Sequence, residues 1–269
     1  MKYLAACCTV KNEASIILEW MAFHRSAGFE HLIIIDNGSN DKTADIIKAF
    51  HDQDSVTYIN WPEKTPQTEM YQFVLKEHGE KYEWCAFIDA DEFLYPVDGT
   101  DIRHALCHMG SSSVGVHWHI YGSSGHVTKP EGLVISNYTR RAKDDFFYNR
   151  HIKSIVKPRQ VEQVLSSHVF RVLGSFIDED GREFHYNPPY GYFEEYPVVH
   201  NKLRINHYHT RSRQEYEAKA LRGYFGVDDS KLQDSRERFE LMFSSHDQND
   251  VDDRSAEKYL KLMGYYLNP

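Results

Sequence analysis

Trp84-Cys85-Ala86-Phe87-Ile88-Asp89-Ala90-Asp91-Glu92-Phe93-Leu94-Tyr95-Pro96 is the stretch whose reading decides the fold. Its first five residues, Trp84 to Ile88, are apolar and read as a short buried strand. Three carboxylates then fall within four positions: Asp89, Asp91 and Glu92. A strand that ends in carboxylates puts hard oxygens at the rim of an α/β sheet, where such sheets bind ligands. Hard oxygens suit Mg²⁺ or Mn²⁺, which join substrate phosphates to one or two carboxylates. Asp also favours turns, so a polar turn is the plain alternative. Three carboxylates with no counter-ion repel one another, and this tips the reading toward a cation.

Upstream, Tyr3 to Val10 reads as a strand, and an apolar helical pattern runs from Ile16 until Gly28 stops it. Leu32 to Ile35 is a second strand, ending in the turn cluster Asp36 to Asp41. Asn40 or Asp41 can cap the helix of Thr43 to Phe50. Val56 to Trp61 is a third strand, Thr65 to His78 a helix, and Glu83 to Ile88 the fourth strand. This alternation predicts an α/β fold, a mostly parallel sheet with right-handed crossovers. Downstream, Val114 to Tyr121 alternates as a strand and closes in Gly122-Ser123-Ser124-Gly125. Leu133 to Ile135, Ile152 to Val156 and Val169 to Leu173 read as short strands, and helical patterns return from Ser212 onward. The acidic piece Asp247 to Asp253 reads as a solvated loop between helices.

A formal net charge of −9 argues against a nucleic-acid binder. The 269 residues suffice for a sizeable core. Cys7, Cys8, Cys85 and Cys107 lie mostly in apolar runs and lack zinc-site spacing. Reduced core cysteines imply an intracellular, cytoplasmic protein. The apolar run before Lys11 is too short for a secretory leader, and no stretch approaches the roughly 18 apolar residues of a membrane span. A peripheral contact with a membrane surface stays open.

In a parallel sheet the loop Lys11-Asn12-Glu13, the turn at Asp36-Asn37 and the Asp89 to Glu92 cluster emerge at one edge. The Asp36 carboxylate can accept hydrogen bonds from a ribose or a base N–H. The alternative is that Asp36 and Asn37 only make the turn.

The segments 9 to 13, Glu19-Trp20, Phe23-His24, 35 to 43 and 87 to 94 together resemble the family 2 type of nucleotide-sugar glycosyltransferases, closest to the branch related to family 92. Further matches are Trp118 to His126, the Lys-Ser-Ile-Val-Lys-Pro of 153 to 158, and Asn206-His207-Tyr208 with Ser212. The resemblance covers roughly residues 3 to 225 and implies a GT-A (Rossmann-like) fold. A nucleotide-binding half, 1–95, would precede an acceptor half, 96–225, and residues 226–269 would form a helical extension on the same domain.

The resemblance implies a metal-dependent, inverting transfer of a sugar from a UDP-sugar to a hydroxyl of a glycan or other acceptor. Asp36 would hold the uracil or ribose, with Lys11, Asn12, Glu13 and Asn37 around it. Asp89 would contact the ribose or the water shell of the metal. Asp91 would bind Mn²⁺ or Mg²⁺, with His207 and then His209 as further ligands. Glu92 would orient the loop. Lys153, Lys157 and Arg211 would add positive charge at the diphosphate. Trp118 and Tyr121, with Gly122, Ser123 and His126, would form an acceptor platform.

An inverting transfer needs a general base, and Glu131, Asp144 and Asp145 are the candidates. An acidic pair favours Asp145 or Asp144, although its setting, Arg140 to Phe147, departs from the family signature. A nucleotidyltransferase is the second reading, but the Lys-Asn-Glu loop lacks its glycines. A non-catalytic sugar-binding or assembly protein is the third, and the intact Asp89-Ala90-Asp91 argues against it.

Overall fold

The computed structural model describes residues 1–50, 52–184, 191–192, 197–222 and 236–267. The strands in chain order are β1 Lys2–Val10, β2 His31–Asp36, β3 Val56–Asn60, β4 Tyr82–Phe87, β5 Glu92–Pro96, β6 Ser113–Ile120, β7 Arg140–Arg141, β8 Ile152–Val156, β9 Val161–Val164, β10 Phe170–Val172, β11 Phe176–Asp178, β12 Leu203–His207 and β13 Val251–Asp252. The helices are α1 Ile17–Ala27, α2 Thr43–Lys48, α3 Gln67–His78, α4 Ile102–Leu106, α5 Val134–Asn137, α6 Arg213–Arg222, α7 Arg236–His246 and α8 Leu260–Leu267.

Among the described residues the main sheet has nine strands in the order β3-β2-β1-β4-β8-β6-β12-β5, with β11 pairing beside β6. The first four are parallel. Strand β8 runs against both β4 and β6, and β5 against β12. The remaining strands share one direction. The fold is therefore mixed α/β, with helices on both faces.

β1 shows why its sequence is a continuous apolar run. Leu4, Ala6 and Cys8 face the core built on Trp20 and Phe23 of α1. Ala5 and Cys7 face the opposite core, with Met70 and Tyr71 of α3. A parallel strand covered on both faces has no polar side to show. Helix α1 ends at Gly28, whose φ of +105° is the left-handed stop that only glycine takes without strain. The residue capping α2 is Lys42, without a side-chain cap, in place of the expected Asn40 or Asp41; Asp41 instead accepts the Thr43 N–H at 2.9 Å from the turn before it.

Three further sequence readings change. Residues 134–137 form the short helix α5 in place of a strand, because Glu19 of α1 accepts the N–H groups of Val134 and Ile135 at 2.7 and 3.0 Å. The piece Asp247 to Asp253 is a clamp and not a free loop. Asp247 and Asn249 accept the N–H groups of Ser123 and Ser124, β13 pairs with β7, and Asp253 binds Arg141 and the buried Arg204. Cys107 is exposed, whereas Cys7, Cys8 and Cys85 are buried, and none of the four is in a disulfide. The expected boundary at residue 225 lies outside the described residues; beyond it, Tyr259 packs against Phe23 and Tyr95. Among the described residues, no helix is long and apolar enough to cross a membrane.

Candidate functional site

The loops after β1 and β2 are zipped together by short polar side chains. Ser39 Oγ accepts the Asn12 N–H at 2.9 Å, and Asn12 Oδ1 accepts the Asn40 N–H at 2.8 Å. Thr43 Oγ1 accepts the Glu13 N–H at 2.8 Å, and Asp41 accepts the Ala14 N–H at 3.2 Å. Asn12 sits at φ +55°, a conformation Asn tolerates better than most residues. Asp36 is nearly buried and accepts from the Ser39 N–H at 2.8 Å and the Tyr58 hydroxyl at 2.9 Å. Asn37 donates to the carbonyls of Trp61 and Glu63, both at 2.8 Å. Both residues thus build the turn, and the turn lies at the edge the sequence assigned it.

The Asp89 to Glu92 turn is held from beneath by α1. The Trp20 indole N–H donates to the carbonyls of Asp89 and Glu92, at 3.1 and 3.0 Å. Burial pushes the His24 imidazole down to about 3, so it stays neutral. Neutral His24 donates from Nδ1 to the Trp20 carbonyl at 2.8 Å and accepts the Leu94 N–H at Nε2, at 3.1 Å. Phe23 packs edge-on to Phe93. The Glu92 side chain, wholly buried, accepts the Asp89 N–H at 2.8 Å, the orienting role expected for it.

The Asp89 side chain is a third exposed. Lys153, fully buried on β8, donates to its Oδ2 at 2.7 Å. Gln67, from the first turn of α3, donates to Oδ1 at 2.9 Å and reaches Thr9 Oγ1 at 2.6 Å. Burial works against ionisation of Asp89, yet the Lys153 ammonium holds it below the usual carboxylate range.

Asp91 is built differently. β12 runs antiparallel to β5 and sets His207 opposite Glu92. The Tyr208 N–H then donates to the Asp91 carbonyl at 2.8 Å. This brings one ligand atom each from Asp91, His207 and His209 within 4.8 Å of one another. His207 Nδ1 and His209 Nε2 are buried without a hydrogen-bond partner. A carboxylate with two imidazoles is a donor set open to divalent transition ions, whereas Mg²⁺ prefers oxygen ligands throughout. Lys219 of α6 donates to Asp91 Oδ2 at 2.6 Å. Burial opposes ionisation of Asp91 too, but Lys219 and then His207 hold it well below the carboxylate range.

The structure sorts the other expected residues. Trp118 lies in the site, almost buried, with its ring 4.2 Å from His207 and stacked 4.9 Å from His151. Tyr121 does not form a platform. It is wholly buried, tilted against Tyr208 and hydrogen-bonded by Arg204. The N–H groups of Gly122 and Ser123 are engaged by Arg140 and Asp247, and a Cβ on Gly122 would meet the Gln248 carbonyl at 2.4 Å. His126 lies 3.3 Å from the Asn137 carbonyl. Lys157 misses the site. It follows Val156, which pairs with Cys85, and it covers Trp84 at the entry end of β4.

Glu131 and Asp145 are exposed. Asp144 pairs with Arg141 at 2.7 Å and lies 3.3 Å from His119. Arg211, buried at φ +50°, bridges Glu13 at 3.7 Å and Glu215 at 3.5 Å, and so ties the β1 loop to α6. Gln67 and Lys219 were not expected. Gln67 reads in sequence as an ordinary helix start, and Lys219 as a surface cation between the apolar positions of α6.

Zipped loops, a carboxylate–lysine pair and a carboxylate–imidazole cluster thus meet at one edge of a mixed α/β sheet, which makes this edge the candidate site. The family then follows. The model of "Glycosyltransferase family 92" matches residues 2–258, and the chain belongs to glycosyltransferase family 92. The match extends past residue 225, where the sequence motifs stop. A family 92 protein of Ricinus communis is 26% identical over 232 residues, 81% of this chain and 37% of the relative. One from Oryza sativa subsp. japonica is 26% identical over 186 residues, 67% of this chain and 30% of the relative. The chain thus spans about a third of the length of the curated relatives it matches. Among solved structures, S. aureus TarS 1-349 in complex with UDP-GlcNAc is similar at TM-score 0.47 and 12% identity, covering 100% of this chain and 72% of that one. HddC from Yersinia pseudotuberculosis is similar at TM-score 0.39 and 12% identity, covering 66% and 91%.

Proposed function

We propose that this chain is a metal-dependent glycosyltransferase domain of GT-A type that moves a sugar from a UDP-sugar to a hydroxyl of a glycan or other acceptor, with inversion. The observation that carries the reading is the convergence of Asp91, His207 and His209 beside the Lys153-bound Asp89, on an edge shared with the loops at Asn12 and Asp36. The relatives are glycosyltransferase family 92 proteins, which supports sugar transfer. Residues 1–95 form the nucleotide half in this reading and 96–225 the acceptor half. The buried thiols of Cys7, Cys8 and Cys85 favour a reducing, cytoplasmic setting.

Each residue has a task. The turn of Asp36 and Asn37, with Lys11, Asn12 and Glu13, walls the uridine. Asp91, His207 and His209 would hold Mn²⁺ or Mg²⁺, which would supply positive charge for the departing UDP. Lys153 keeps Asp89 ionised and aimed at the ribose side. Trp118 gives the sugar an aromatic wall beside His207. Asp145 is the base, because Arg141 engages the neighbouring carboxylate of Asp144 while Asp145 stays exposed.

A screen of UDP-sugars with Mn²⁺, read as UDP release, tests the reading. One donor should be slowly hydrolysed, and Asp145→Asn should keep UDP affinity while losing transfer. No release from any UDP-sugar, together with no binding of UDP, would remove the glycosyltransferase assignment. Full transfer by Asp145→Asn would remove only the base.

A further inference from the structure

Lys219 stands where the cation of the proposed site belongs. Its ammonium lies 2.6 Å from Asp91 Oδ2, 3.5 Å from His209 Nδ1 and 3.3 Å from the His209 carbonyl. Those contacts include two of the three groups in the Asp91–His207–His209 cluster. The placement is built and is not the chance rotamer of a surface lysine. Tyr216 lies one helical turn before Lys219 on the same face of α6. It is buried against His209, at 5.7 Å between rings, and against Phe239 and Phe243 of α7. His246 of α7 also packs on His209, at 4.4 Å between rings. The lysine is therefore aimed into the cluster by the packing of its own helix.

A divalent ion on Asp91 and an ammonium 2.6 Å from the same carboxylate would repel strongly in a partly buried site. That repulsion favours withdrawal of the ammonium from Oδ2 when an ion arrives on the His207 side, at Oδ1. Lys219 can leave: its side chain is 16% exposed and hangs on a flexible four-carbon stem. Lys153 cannot, since its side chain is wholly buried. A displaced Lys219 ammonium needs a new anion close by, and an incoming nucleoside diphosphate brings one.

We propose that Lys219 is a displaceable counter-cation: it occupies Asp91 in the ion-free protein, yields that carboxylate to a divalent ion, and then binds the donor's diphosphate. The proposal deepens the reading above and rests on it, since Asp91, His207 and His209 must bind the divalent ion. It gives Lys219 opposite effects on two ligands. Lys219 competes with the ion and assists the diphosphate.

The test measures Mn²⁺ binding without nucleotide, from the free Mn²⁺ signal in electron paramagnetic resonance. It compares the wild type with Lys219→Met and Lys219→Gln, each checked for folding by circular dichroism. Both variants should bind Mn²⁺ about tenfold more tightly, the equivalent of about 1.4 kcal/mol. At saturating Mn²⁺ both should bind UDP about tenfold more weakly, and Lys219→Arg should restore much of the UDP affinity. Uridine affinity should not change. Unchanged Mn²⁺ affinity in the folded variants, or unchanged UDP affinity, would overturn the proposal and leave the metal reading intact. Absence of Mn²⁺ binding in wild type and variants alike would overturn the metal reading and the proposal with it.

Discussion

Asp89 and Asp91 are two residues apart in one turn, yet their surroundings differ in kind. Asp89 faces Lys153, whose side chain is wholly buried on a sheet strand, and Gln67 fixes its other oxygen. Asp91 faces Lys219, a partly exposed lysine on a helix, and two imidazoles with free nitrogen atoms. The first carboxylate is locked with a permanent counter-charge. The second is held ready, with a counter-charge that can move. The difference teaches that an Asp-x-Asp pair is not two equivalent ligands, because the elements facing each carboxylate decide its role.

The largest expected effect breaks the locked side. Lys153→Met leaves Asp89, a third exposed, without its ammonium, and should cost about 3 kcal/mol in urea unfolding, less than breaking a fully buried pair because water still reaches Asp89. A cost below about 1 kcal/mol would show that Asp89 is not locked.

A buried carboxylate without such a partner sharpens the contrast. Two backbone N–H groups hold Glu19, and burial pushes it up to about 7. Its folded pKa exceeds the unfolded value of about 4.3, so the folded state binds the proton more tightly. The stability it contributes is full below about pH 4.3 and is lost as pH rises through about 7. Urea unfolding at pH 5 and pH 8 should show a loss of up to ~3 kcal/mol in wild type that Glu19→Gln does not share. Equal losses in the two proteins would refute this assignment.

Trp20→Phe removes the N–H that both carbonyls of the turn share. It should cost about 1–3 kcal/mol and loosen both carboxylates together, seen as weaker UDP binding. The smallest effect belongs to the movable side. Lys219→Met should cost only about 1–2 kcal/mol, since Lys219 itself is partly exposed and two imidazoles stay beside the buried Asp91, and added Mn²⁺ should restore that stability. A cost matching that of Lys153→Met would erase the distinction between the two seats.

How much of this was legible in the sequence follows from how local each signal is. The strands and helices up to residue 96 were readable because parallel strands are apolar throughout, and their turns carry Gly, Asn and Asp. The convergence of the loops at Asn12, Asp36 and Asp89 followed from that topology alone. His207 and His209 were legible only through the resemblance, and β12 brings them to Asp91 through a register no local pattern encodes. Glu19, Trp20 and His24 were visible as a motif without a role. Their work is to hold distant backbone N–H and C=O groups, which a sequence does not show. Tyr121 and Gly122 were misread for the same reason: the 247–253 clamp covers them from more than a hundred residues away. Lys219 gave no signal at all, since a lysine in a mostly polar helix reads alike whether it meets water or a carboxylate.

The most direct test of the central claim is the affinity of UDP for the wild type and for Asp91→Ala, each measured by calorimetry in Mn²⁺ and in EDTA. The account predicts that UDP binds the wild type tightly in Mn²⁺ and at least ~10-fold more weakly in EDTA. It predicts that Asp91→Ala binds weakly in both. Equal UDP affinity for the wild type with and without Mn²⁺, or Mn²⁺-dependent tight binding that survives in Asp91→Ala, would contradict it.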